Sequence, residues 1–241
     1  MEKISNHRKR RINNALICVL IALMTVTAAI FVANILHVNS LDTGAGSTLS
    51  TAATSNEYTN DSYSIGNNPT DINKTYFKEL NSALESEEKT KISEAVVKCF
   101  VTEYYTWTNK DGNYDIGGMQ YIFTPQKSDF AEYTLWNFYE DMDLYITKYG
   151  TKNLMQVKDV TVSQSVAAAD YAVTLPGDES EVISAGASAS GTTKSLPCVD
   201  VTATWTYEEN TNIETARFQN HAVFHVVNNN GRWEIAGISA A

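Results

Sequence analysis

An uncharged run from Ala15 to Leu36 constrains this chain more than any other feature. Its only polar members are Thr25, Thr27 and Asn34. At about 1.5 Å per residue a helix over this run crosses the roughly 30 Å hydrocarbon core of a bilayer. A cleavable signal peptide begins in the same way, with basic residues before an apolar segment, but its apolar part is usually only about 7 to 15 residues long. No clean Ala-x-Ala cleavage site follows, and Cys18 lies too early and in the wrong context for a lipoprotein cysteine. Residues 15–36 are therefore read as an uncleaved membrane anchor.

Charge orients that anchor. Lys3, Arg8, Lys9, Arg10 and Arg11 all precede it, and no Lys or Arg follows until Lys74. Positive residues stay on the cytoplasmic side, so 1–14 reads as a cytoplasmic basic tail and everything from about His37 onward as extracytoplasmic. The formal net charge is −10; the five basic residues of the tail set against Glu2 leave about −14 for the rest. Such a surface repels nucleic acid and anionic lipid headgroups, so no direct nucleic-acid partner is expected and the basic cluster is a topology signal.

After the anchor, His37 to Pro69 is dominated by Ser, Thr, Asn, Gly and Ala, too poor in apolar surface to offset the entropy of ordering it. Residues 37–69 read as a flexible extracytoplasmic linker, and 70–241 as one domain of ordinary size. Asn60-Asp-Ser and Asn73-Lys-Thr match the glycosylation pattern but carry no weight alone. Three cysteines, Cys18, Cys99 and Cys198, are no disulfide framework; a Cys99–Cys198 bridge is left open.

Within 70–241 the hydrophobic period changes once. Thr70 or Asp71 is placed to cap a helix carrying Ile72, Phe77, Leu80 and Leu84. A second helix over about Thr90 to Trp107 has Ile92, Val96, Cys99, Phe100 and Tyr104 on one stripe, with Lys91, Glu94, Lys98 and Glu103 largely off it. A third is expected between Pro125 and Tyr149, its core face Leu135, Tyr139, Met142 and Ile146 broadened by Phe130, Trp136, Phe138 and Tyr145. After Gly150 the period becomes two. Strands are expected around Val160–Val162, Tyr171–Leu175, Val199–Tyr207, Glu214–Asn228 and Trp233–Gly237, with Asn230-Gly231 a hairpin turn. Helices followed by antiparallel strands predict an α+β domain.

Helices first, then a meander of long strands ending in Gly231-Arg-Trp-Glu-Ile235, resembles the nuclear transport factor 2-like fold over roughly Ile72 to Ala241. That resemblance implies a curved sheet wrapping helices into a cone. A basic tail, one span, a linker and a single outer domain look like the VirB-eight family, bitopic scaffold subunits of conjugative type IV secretion systems. The aromatic stretch Phe100-Val-Thr-Glu-Tyr-Tyr-Thr-Trp107 is similar in character to that family's helix. Membership implies a non-enzymatic assembly role through self-association and contacts with other channel proteins, with no small-molecule substrate. No functional residue carries over by position.

Read directly, the residues assign no catalytic group, metal site or cofactor. Phosphate-binding loops, Gly-x-Ser-x-Gly, His-Glu-x-x-His and Cys-x-x-Cys are absent from the sequence. The competing class is a small-ligand binder or an enzyme using a pocket inside the cone. Its candidates are Asp170, beside Tyr171, and His221 and His225. Those histidines lie about 13 Å apart along a strand, too far to chelate one ion, and read as outward-facing. Glu140, Asp141 and Asp143 read as a solvated helix face. Tyr104, Tyr105, Trp107, Trp136, Phe138 and Tyr139 read as core and lining rather than a ligand cage. A Ser/His/Asp triad assembled from distant residues has nothing in the sequence to recommend it.

Overall fold

A computed structural model describes residues 58–175 and 192–240; the basic tail, the apolar run 15–36, most of the linker and the loop 176–191 lie outside the described residues. Among the described residues no helix is long and apolar enough to cross a membrane. Among the described residues four α-helices precede four strands: α1 (Asp71–Ser86), α2 (Lys89–Tyr104), α3 (Lys127–Leu135), α4 (Met142–Tyr149), β1 (Val157–Leu175), β2 (Thr192–Tyr207), β3 (His221–Asn229) and β4 (Arg232–Ser239). The strands form one antiparallel sheet in sequence order, β1-β2-β3-β4. The domain is α+β.

Local chemistry sets the element ends. Thr70 caps α1 reciprocally with Asn73: the Asn73 amide donates to Thr70 Oγ1, and the Thr70 amide donates to Asn73 Oδ1 at 2.9 Å. Asn73 is therefore buried in the cap, closing one of the two glycosylation patterns to solvent. Asn230 and Gly231 both take positive φ, 54° and 93°, as a two-residue hairpin loop of the type I′ kind demands.

α2 is buried on nearly every side because it packs against α1 on one flank and against β1, β2 and β4 on the other. The sheet's near face meets it with Val199, Val201, Ala203, Trp205, Ala222, Phe224, Val226 and Ile235, which join the main core. Their chain neighbours Cys198, Val227 and Ala236 belong to a second, smaller cluster with Phe123, Val173 and Leu196. Since successive strand residues point to opposite faces, this second cluster sits on the sheet's far face.

Several expectations need correction. The helix expected over 125–149 is two, α3 and α4, separated by irregular backbone at 136–141. The Tyr139 amide returns to the Thr134 carbonyl at 2.9 Å, and Thr134 is itself buried with its hydroxyl 3.1 Å from that of Tyr104. In one straight helix Trp136 and Tyr139, three apart, would share a face. The break sends Tyr139 fully inside and turns Trp136 out to 71 % exposure, so Trp136 is not core.

The two strands expected around Val160 and Val173 are a single 19-residue strand, β1. It pairs with β2 along its length, with register shifts at Val157/Asp159, Val162/Gln164 and Ala168/Tyr171. Each irregularity resets the alternation, so one continuous strand reads as pieces. The strand expected from Glu214 starts at His221, after a 3₁₀ turn over Thr215–Arg217.

Within the segment read as linker, residues 58–69 pack onto the domain. Thr59 and Ser64 form an antiparallel bridge, and buried Tyr63 stacks on Tyr121 with ring centroids 5.6 Å apart. The Tyr63 hydroxyl donates to the Trp233 carbonyl at 2.6 Å and accepts from the Trp233 amide at 3.1 Å. Cys99 and Cys198 are both buried and free, in different clusters.

Candidate functional site

Among the described residues three places gather polar chemistry. The first is a pocket of about 740 Å³ between α3 and the last residues of β4. Its walls include Tyr104, Tyr105, Phe130, Tyr133 and Phe138 on the helical side and Ala236 to Ala240 along the strand. β4 is the terminal strand of the sheet; its outer edge is engaged at Trp233 by the Tyr63 hydroxyl and at Ile235 by a parallel bridge to Ile122 and the Phe123 amide at 2.9 Å, and among the described residues no strand pairs with it beyond Ile235. The pocket thus runs beside an open strand edge. Besides the tyrosine hydroxyls, its polar side chains are Gln126, Asp129, Asn137, Gln219 and Ser239. Tyr105 donates to Gln219 Oε1 at 2.8 Å, and Tyr104 pairs with Thr134. Burial pushes both phenols above their ordinary range, Tyr104 to about 12, so neither supplies a phenolate base near neutral pH.

The second is a buried carboxylate. Glu103, expected off the apolar stripe of α2, is only 3 % exposed. It accepts from the Gly66 amide at 3.1 Å, the Gly118 amide at 3.3 Å, Gln120 Nε2 at 2.6 Å and the Tyr121 hydroxyl at 3.3 Å. Lys110, equally buried, lies close enough for its charge to act on Glu103. Burial raises the Glu103 carboxyl above its ordinary range and lowers the Lys110 ammonium below its own. Through these donors Glu103 ties the 58–69 segment and the 117–121 turn to the core.

The third lies on the far face of the sheet, where strand pairing sets Asp200 against His225 and Cys198 against Val227. His225 Nδ1 is 2.7 Å from Asp200 Oδ1, and the Cys198 thiol donates to the same oxygen at 3.6 Å. On its other side His225 Nε2 lies 3.3 Å from Ser239 Oγ, and the Tyr171 ring stacks on the imidazole at 4.8 Å. A Ser239–His225–Asp200 line therefore exists in outline, although nothing in the sequence recommends one. The Ser239 hydroxyl stands on the exposed end of a strand.

The structure separates the residues singled out from sequence. His221 and His225 do share the far face with Val223, as their register requires, but only His225 has partners from neighbouring strands. Asp170 is exposed on β1, near enough for its charge to act on Cys198, and does not line the pocket. Glu140, Asp141 and Asp143 are exposed. Tyr104, Tyr105, Trp107 and Tyr139 are buried, Phe138 partly so. Cys198 and Asp200 were missed: two apart on one strand, they share a face, a signal present in the sequence but hidden by the apolar alternation of Val199, Val201 and Ala203 that reads more loudly.

Comparisons with family models, with curated proteins and with solved structures find no match to this chain.

Proposed function

We propose that the protein is a membrane-anchored assembly subunit of a conjugative DNA-transfer, type IV secretion apparatus, acting through protein–protein contacts of an extracytoplasmic domain of nuclear transport factor 2-like form. The basic tail and the apolar run 15–36 supply the anchor and the N-in orientation. Helices followed by an antiparallel sheet in sequence order agree with the cone-like fold. The observation that carries the assembly role is where large apolar side chains meet solvent. Tyr133 (62 %) and Trp136 (71 %) at the end of α3, Leu144 (64 %) on α4 and Tyr114 (72 %) in the loop before them are all exposed on the helical layer. Aromatic side chains dominate the energetics of interfaces, and three of these four are aromatic.

The partners are a second copy of this chain and other channel proteins. Confinement to the bilayer raises the effective concentration of the outer domains, so weak contacts suffice. Light scattering of the full-length protein in detergent should give a mass above the monomer, and carbonate extraction should leave it in the membrane fraction. Trp136→Ser with Tyr133→Ser should weaken association ~10-fold or more. A protein strictly monomeric both in detergent and in crosslinked cells overturns the reading.

A second reading is favoured by the pocket itself, whose volume of about 740 Å³ falls in the range of small-molecule sites, roughly 300–1,000 Å³. Its aromatic walls and few polar groups suit a flat apolar ligand. Apolar fluorophores displaced from the pocket by cell extract, with binding lost in Phe130→Ala, would favour this over assembly.

A further inference from the structure

The far-face cluster is assembled from rigid sheet positions. Cys198 and Asp200 lie two apart on β2 and point the same way, while His225 is the cross-strand partner of Asp200 on β3. One donor atom from each, sulfur, carboxylate oxygen and imidazole nitrogen, falls within 4.8 Å of the other two. We propose that Cys198 Sγ, Asp200 and His225 Nδ1 form a binding site for one borderline-soft divalent cation, zinc foremost, with the fourth coordination position left to water.

Three observations besides proximity support this. The ligand set matches the ion: thiolate, imidazole and carboxylate are the groups zinc takes, at about 2.0 to 2.3 Å, which places ligand atoms of a tetrahedron roughly 3.2 to 3.7 Å apart. The Cys198–Asp200 separation of 3.6 Å already meets that, and the His225–Asp200 pair at 2.7 Å needs only a small opening of a half-exposed carboxylate. A thiolate and a carboxylate also balance a divalent charge, which suits a site at the edge of the second apolar cluster.

Binding through Nδ1 requires the proton that Nδ1 directs at Asp200 Oδ1 to move to Nε2, where Ser239 Oγ, 3.3 Å away, can accept it. Tyr171 stacks on the ring at 4.8 Å with an interplanar angle of 18°, and this stack requires glycine at 237: a Cβ there would lie 2.5 Å from the Tyr171 hydroxyl and 3.0 Å from His225 Cδ2. Without an ion the thiol proton is directed at Asp200 Oδ1. Binding exchanges that proton, released to solvent, for the cation. This inference is independent of the assembly role.

Cobalt(II) titrated into the reduced, full-length protein tests it. One equivalent should give tetrahedral d–d absorbance and a thiolate-to-cobalt charge-transfer band, both removed by zinc. Cys198→Ser should abolish the charge-transfer band, and Cys99→Ser, in the main core, should keep it. Asp200→Asn and His225→Gln, at half-exposed positions that do not threaten the fold, should weaken affinity ~100-fold, and Ser239→Ala ~10-fold. A folded wild type without a charge-transfer band at stoichiometric cobalt, or a band that survives in Cys198→Ser, overturns the proposal.

Discussion

Glu103 and Asp200 are both carboxylates drawn into hydrogen-bonded clusters by this fold, and they differ in what surrounds them. Around Glu103 every neighbour is a donor: two backbone amides, an amide side chain and a phenol. Around Asp200 the neighbours are groups that can themselves ligate or change protonation, a thiol and an imidazole, and one edge remains open to solvent. Counting buried charge treats the two alike. Counting unspent lone pairs distinguishes a brace from a site.

Breaking the brace should have the largest effect. Glu103→Ala orphans four donors in the interior, and the expected loss is ~3 to 5 kcal/mol, read as a urea midpoint far below wild type or as failure to fold. Gly237→Ala comes next. Its added methyl collides with the Tyr171–His225 stack, for an expected cost of ~1 to 3 kcal/mol in thermal unfolding together with loss of any metal-dependent rise in Tm.

The pH dependence of the brace sharpens the contrast. Burial raises the Glu103 carboxyl in the folded state, so the protonated form is the one folding favours. Its contribution is fully present below the unfolded carboxylate value of about 4.3 and is lost as pH rises through the higher folded value. Glu103→Gln cannot titrate. Whatever its own cost, the stability difference between it and wild type should move in favour of the glutamine as pH is raised from acid toward neutrality, measured by urea unfolding at each pH.

At Asp200 the stability effect should be small. Asp200→Asn is expected to cost ~1 kcal/mol or less in chelator, yet to shrink zinc-dependent stabilisation in step with its ~100-fold weaker affinity. Smallest of all, Trp136→Ala should change stability within ~0.5 kcal/mol, since the ring is mostly in solvent, while self-association falls.

Much of this arrangement was legible in the chain. The Thr70 cap, the alternation of Val199 to Tyr207 and the Asn230-Gly231 turn are local signals, and each element they announce is present. Glu103 was not legible, because its donors at 66, 118, 120 and 121 come from turns whose approach only the folded chain determines. The α3–α4 break depends on a buried Thr134–Tyr104 contact that no periodicity encodes. The far-face cluster was half legible: Cys198 and Asp200 share a face by alternation, but bringing His225 opposite requires the β2–β3 register, and bringing Ser239 beside it requires the β3–β4 irregularity at His225/Val226.

Tyr63 gives the domain a mechanical property. Its hydroxyl occupies both backbone groups of Trp233, its ring lies against Tyr121, and the Arg232 guanidinium covers it at 4.8 Å. The chain is thereby fastened to the last strand before it enters the first helix. Tension arriving along the preceding residues meets the Asn60–Asn81 hydrogen bond and then this latch before it reaches the cap of α1. Trimming Tyr63 to phenylalanine would remove both bonds to Trp233 and lower the load the domain bears while leaving its helices and strands in place.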